Sequence, residues 1–308
     1  MIKTIIITTL FYSSLIKADE DSSVKLIILG IAQDAGYPQL NCYKPHCMSA
    51  WKDADLKKFA TSLGLIDSQN KKKYLFEATP DIREQMYNLH TLAPDSQYTL
   101  DGVFLTHAHI GHYTGLMHFG REAAGTSGVK VYAMPQMMSF LKKNGPWSQL
   151  VELKNIILKS INHQNKISLT ENIAIIPLLV PHRDEYSETV GYKIFGPTKS
   201  VLFIPDINKW KMWDLDITEE IKKVDYALLD ATFYKNGEIP NRNMIDIPHP
   251  FVEESMQLFS KLSKQDKNKI IFIHFNHTNP LIDYNSDSTK FVLAQGYQVA
   301  KEGLMIDL

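Results

Sequence analysis

Only two cysteines occur in 308 residues, which excludes a fold stapled by a disulfide framework. An excess of either charge is also lacking, with 33 Lys and Arg against 34 Asp and Glu and a formal net charge of -1. That balance gives no electrostatic case for nucleic acid or an acidic membrane, and neither is expected as a partner. The short basic run Lys71-Lys72-Lys73 reads as a solvated loop. Internal repeats, long linkers and low-complexity tracts are missing, so a single compact domain is the simplest organisation. With 44% hydrophobic residues, it can bury a substantial core. The apolar run from Thr4 to Ile16 is too short to span a bilayer comfortably.

That run has a pattern of its own. Lys3 precedes it, and Lys17, Ala18 and the acidic Asp19-Glu20-Asp21 follow. A basic start, a short apolar core and a small residue before a polar stretch describe a secretory signal peptide. Residues 1–18 are read as that signal, and residues 19–308 as the mature domain, periplasmic or secreted. An uncleaved anchor and a buried first strand are the alternatives. No cysteine lies near the cut, so a lipoprotein anchor is not supported.

Both cysteines fall within Asn41-Cys42-Tyr43-Lys44-Pro45-His46-Cys47. Cys42, His46 and Cys47 offer three donors to a structural metal, although no fourth is evident. A local disulfide, suited to an oxidising compartment, and two free thiols are the other readings.

Short β-rich runs alternate with helical patterns. Strands are predicted at Lys25 to Leu29, Ser62 to Ile66, Tyr74 to Phe76, Gly102 to Leu105 and Val129 to Ala133. Further strands are predicted at Ile173 to Val180, Thr189 to Phe195, Ser200 to Ile204, Tyr226 to Leu229 and Ile270 to Ile273. Helical periodicity fits Asp81 to Leu89, His112 to Arg121, Pro135 to Lys143 and Pro250 to Ser263. The alternation predicts α/β layers with helices covering sheet faces.

The densest chemical signal follows the apolar run Val103-Phe104-Leu105: Thr106-His107-Ala108-His109-Ile110-Gly111-His112. Three of the chain's 11 histidines crowd into six residues, where a strand end would release them into one small volume. Neutral imidazole is a common metal ligand. Other strands repeat the device. Leu178-Leu179-Val180 runs into His182, Val201 to Pro205 into Asp206, and Ile270 to Ile273 into His274. Alone, His182 reads as a loop histidine and Asp206 as a turn or cap. Together with the cluster, they point to a shared site.

The order of these motifs resembles the metallo-β-lactamase superfamily, whose fold is a four-layer αβ/βα sandwich. Its first motif, His-x-His-x-Asp-His, is matched by His107, His109 and His112, and its later lone ligands by His182, Asp206 and His274. The resemblance spans roughly residues 24 to 280. Within it, the likeness runs to the branch containing pyrroloquinoline-quinone biosynthesis protein B. It is carried by Ala35-Gly36-Tyr37-Pro38-Gln39, Asn41-Cys42, Thr79-Pro80-Asp81-Ile82-Arg83, Gly115-Leu116, Leu229-Asp230-Ala231-Thr232-Phe233 and His274-Phe275-Asn276-His277-Thr278-Asn279-Pro280. That branch lacks the first two histidines of the hydrolase motif, whereas this chain has both.

The resemblance implies one or two zinc ions, with iron or manganese as alternatives. A first metal site would use His107, His109, His182 and Asp206. A second would have only His112, His274 and the shared Asp206, because Gly111 stands where the motif has aspartate. Asp34, His277 or His249 could fill that gap, and an aspartate restored at 111 is expected to raise occupancy of the second site. Asp206 is the expected catalytic carboxylate, bridging the metals and holding water. His249, in Pro248-His249-Pro250, is a second catalytic candidate as acid or substrate contact, against a plain loop histidine. Asp230 is either a support for a ligand histidine or a turn residue. Arg183 is either a binder of substrate carboxylate or phosphate or a surface ion-pair partner. His118 is read as packed or exposed, without a role. The implied activity is an exported hydrolase attacking an ester, lactone, amide or phosphodiester of a small molecule. An iron-dependent oxidising enzyme and a metal-binding protein without turnover are the alternatives.

Overall fold

A computed structural model of the chain describes residues 22–244 and 247–308. The expected signal peptide therefore lies outside the described residues. β1 (Val24–Gly30) shows how the sequence builds a buried sheet. Its side chains alternate, Leu26 and Ile28 into one apolar cluster and Ile27 and Leu29 into another, so both faces of the strand are covered.

After β1 come α1 (Pro45–Lys52), β2 (Ser62–Asp67) and β3 (Lys72–Phe76), with β1, β2 and β3 paired antiparallel. β3, β4 (Thr99–Phe104), β5 (Val129–Ala133) and β6 (Ile156–Ser160) then run parallel. Parallel neighbours need crossovers, supplied here by helical segments. These are α2 (Ile82–Leu92), α3 (Ile110–Tyr113), α4 (Pro135–Lys143) and α5 (Trp147–Glu152). Ile82, Leu89, Met137, Leu141 and Leu150 from those segments pack on Leu75, Val103 and Val131 of the sheet.

The second sheet opens antiparallel with β7 (Ile167–Ser168), β8 (Ala174–Leu179), β9 (Val190–Phe195) and β10 (Ser200–Ile204). It turns parallel through β11 (Tyr226–Asp230), β12 (Ile270–Ile273) and β13 (Gln298–Val299). Between these strands lie α6 (Ile217–Lys222), α7 (Val252–Leu258), α8 (Lys264–Asn268) and α9 (Asp287–Ala294). β14 (Met305–Asp307) returns to pair with β1. Among the described residues there are thus two seven-stranded sheets. They meet through Phe76, Phe104, Tyr192 and Phe203, with Phe76 and Phe203 edge-on at 6.4 Å. Ile217, Ile221, Val252, Phe259 and Val292 cover the second sheet's other face, completing the four-layer αβ/βα sandwich. Among the described residues, no helix is long and apolar enough to cross a membrane.

Two local expectations are corrected. The helix expected over His112 to Arg121 is only α3, followed by a 3-10 stretch, Thr114–Phe119. Gly115 N donates to Ala78 O at 2.8 Å instead of closing a helical turn. The basic run at 71–73 is not simply solvated loop, because Lys73 is buried in β3 with Nζ donating to Ala93 O at 3.1 Å.

Strand register levels the ends that carry the chemistry. Ile204 of β10 faces Leu229 of β11, and Asp230 faces Ile273 of β12. The sheets are tied together at that rim. Ala32, just past β1, bridges to both Ala60 and Phe275, and Gln33 N donates to Phe275 O at 2.8 Å.

Candidate metal centre

Beyond β4 the chain is fixed against the second sheet. Val190 N donates to Thr106 O at 3.1 Å, and Ala108 N to Ser187 Oγ at 2.9 Å. His107 Nε2 then lies 2.8 Å from His109 Nδ1 and 3.4 Å from Asp206 Oδ2. His182, past β8, brings Nε2 to 3.3 Å from the same oxygen. One donor atom from each of His107, His109, His182 and Asp206 lies within 4.8 Å of the others. Asp34, His112 and His274 form a second group of the same closeness. His112 Nε2 is 3.8 Å from Asp206 Oδ2, so that carboxylate stands between the groups. The residues expected to share a site, far apart in sequence, therefore converge.

Outer residues hold these rings. Thr106 Oγ1 is 2.8 Å from His107 Nδ1, and Glu185 Oε2 is 3.0 Å from His109 Nε2. Fully buried Glu77 sets Oε2 3.4 Å from His112 Nδ1. His274 has a left-handed backbone, φ 69°, and its Nδ1 lies 2.9 Å from Thr232 Oγ1. Thr232 Oγ1 in turn donates to Asp230 Oδ1 at 2.7 Å. Asp230 also accepts from Ile207 N at 3.0 Å, so it is a buried hub rather than a turn residue. His249 Nδ1 is 2.9 Å from Asp230 Oδ2 and 3.1 Å from Asp206 Oδ1, which makes it part of the centre, not a loop histidine. Sequence reasoning missed Glu77 and Glu185. For Glu77 the available signal was one carboxylate ending the buried run Tyr74-Leu75-Phe76.

Burial holds His107 well below the ordinary histidine range and His274 down to about 4. Burial also opposes charge on His112, but Glu77, Asp34 and Asp206 outweigh it and hold the ring up at about 9. Asp206 is buried too, yet His182 and His249 keep it well below the carboxylate range. Among the described residues, His182 Nε2, His112 Nε2 and His274 Nε2 are buried without hydrogen-bond partners. Buried polar atoms are rarely left so, and imidazoles gathered around an ionised carboxylate are a donor set that fits a divalent metal.

Other candidates lie elsewhere. His277 is not in the centre; its ring is 5.8 Å from that of His46. It supplies the fourth donor, unseen in the sequence, to the group of Cys42, His46 and Cys47. The structural-metal reading of that trio is corrected nonetheless. Cys42 and Cys47 are joined as a disulfide, so neither sulfur is free to act as a thiolate ligand. His118 lines a separate cleft with Ile82 and Met86. Arg183 lines a cavity of about 320 Å³ together with Arg242, Phe233 and Asn276, and this cavity also touches Asp34 and His249 of the centre.

A family model described as a beta-lactamase superfamily domain matches residues 72–275, a segment containing every centre residue above except Asp34. Coenzyme PQQ synthesis protein B of Methylobacterium sp. (strain 4-46) is 24% identical over 307 residues, covering 92% of this chain and 100% of that protein. The zinc-bound PqqB structure from Methylobacterium extorquens superposes with a TM-score of 0.73 at 21% identity, covering 92% of this chain and 100% of that one. A diphosphatase of the PhnP family superposes with a TM-score of 0.63 at 23% identity, covering 92% and 96%.

Proposed function

This chain belongs to the beta-lactamase superfamily, and on that premise we propose that it is a metal-dependent hydrolase, with zinc the favoured ion. The bond cleaved is an ester, lactone, amide or phosphodiester of a small anionic molecule. The observation that carries the reading is the set of buried imidazole nitrogens, without hydrogen-bond partners among the described residues, gathered about Asp206. His107, His109, His182 and Asp206 would hold the first metal, with His112 and His274 toward a second. A divalent metal bound there supplies an acidified water and a Lewis acid for the substrate oxygen.

The chain's own residues supply the rest. Asp206, kept ionised between the two groups, orients the attacking water. His249, braced by Asp230 and lining the cavity, hands a proton to the departing group. Arg183 and Arg242 in the same cavity suit a carboxylate or phosphate on the substrate. Export to the periplasm or beyond is part of the proposal, supported by the pattern of residues 1–18 and by the disulfide.

A second reading, an iron-dependent oxidising enzyme serving coenzyme PQQ synthesis, draws support from the end-to-end likeness to the synthesis protein. One experiment separates the two. Protein purified without added metal is analysed for bound metal and assayed on chromogenic esters, lactones, nitrocefin and bis-p-nitrophenyl phosphate. Zinc with chelator-sensitive turnover is expected; stoichiometric iron with oxygen consumption and no hydrolysis contradicts the hydrolase.

A further inference from the structure

Gly111 stands where the superfamily's first motif has its aspartate, which leaves the second half of the centre short of a carboxylate. The space that a side chain at 111 would need is already filled. A Cβ there would lie 2.3 Å from Asp34 Cα, 2.9 Å from Asp34 O and 2.8 Å from Asp34 Oδ1. Two of those three are main-chain atoms, which cannot swing aside. The earlier expectation that an aspartate restored at 111 would strengthen the second site is therefore corrected.

What fills the space carries the missing group. Asp34 Oδ1 lies 3.7 Å from His112 Nε2, and an oxygen of Asp34 is within 4.8 Å of donor atoms of both His112 and His274. The segment bearing Asp34 is tightly held beside those rings. Phe275 N, next to His274, donates to Ile31 O at 2.8 Å, Gln33 N donates back to Phe275 O at 2.8 Å, and Gly36 N donates to Gln33 O at 3.1 Å. Asp34 itself adopts a left-handed backbone, φ 42°, a cost a residue bears when its neighbours over-determine it. The Nε2 atoms of both histidines are buried and lack hydrogen-bond partners among the described residues.

We propose that Asp34 is the carboxylate ligand of a second divalent metal, held with His112, His274 and Asp206, and that Gly111 exists to admit it. The proposal rests on the metal-centre reading above and deepens it. On this reading the carboxylate of the second site comes from the loop after β1 and lies against Gly111. With Asp34 and Asp206, two metals would face two carboxylates and five imidazoles.

The test is zinc titration of the chelator-stripped full chain by calorimetry, with metal counting after dialysis. Wild type is expected to take up two equivalents. Asp34→Asn keeps the size and tolerates the left-handed backbone, and should retain one tight equivalent while losing more than roughly tenfold in affinity for the other. Gly111→Ala should do the same by displacing Asp34, with circular dichroism of the apo forms as the folding control. Two unchanged equivalents in Asp34→Asn overturn the proposal, as does a wild type that binds one equivalent which Asp34→Asn leaves untouched. A wild type that binds no zinc overturns the metal centre itself, and with it this inference.

Discussion

Around His107, His109 and His182 three imidazoles share one carboxylate, whereas His112 and His274 have Asp34 on one side and Asp206 on the other. The first group draws two members from a single three-residue stretch, and one of them, His109, is partly exposed and steadied by surface Glu185. The second draws its members from the loop after β1, from α3 and from the end of β12, and its supports Glu77 and Asp230 are fully buried. The contiguous motif supplies His107 and His109 to the first group and His112 to the second, while His182 and Asp206 reach the first group from the second sheet. Both halves therefore depend on how the sheets are joined, and the second depends also on the loop after β1. Perturbations of the motif and of the rim should separate the halves.

The largest effect is expected from His109→Ala. It removes a donor from the first group at a partly exposed position, so most bound metal and turnover should be lost while circular dichroism stays unchanged. Unaltered metal content contradicts the ligand assignment. Glu77→Gln acts on the other half. Removing the charge beside His112 Nδ1 should weaken metal there by roughly ten- to a hundredfold and leave the first site alone. Equal weakening of both sites in a competition titration would show that the halves are not separable.

The smallest effect concerns the rim. Glu302 Oε1 accepts from Phe59 N at 2.6 Å, and Phe59 O accepts from Ile31 N and Ala32 N on the segment leading to Asp34. Burial pushes Glu302 up from 4.5 to about 7. A raised carboxyl favours the folded state while protonated. Its contribution is complete below about 4.5 and is lost as pH rises through about 7. Melting temperature should therefore fall over that window in wild type, and Glu302→Gln should flatten the fall. Parallel curves for the two proteins would remove this source of pH dependence.

Much of this was legible in the chain. Val129 to Ala133, Ser200 to Ile204 and Ile270 to Ile273 are strands with the expected bounds, because each is a short apolar run with clear punctuation. The half-centre around His107 was legible for a similar reason, since its histidines follow strand ends directly. β6 was missed because, with Ile157 exposed and Ser160 at the surface, it is an edge strand without clean alternation. α7 begins later than Pro250, since the Glu254 carboxylate accepts from Phe251 N at 2.9 Å and sets the start there. Asp34 could be named only as one of three substitutes for the missing aspartate, because its claim depends on main-chain atoms lying against Gly111. Glu185 gave no signal, being one exposed carboxylate among several.

Anomalous diffraction at the zinc edge from crystals of the metal-loaded full chain tests the central claim most directly. One peak is expected among His107, His109, His182 and Asp206, and a second among Asp34, His112 and His274. Metal-loaded crystals with no anomalous peak at either position would contradict the account.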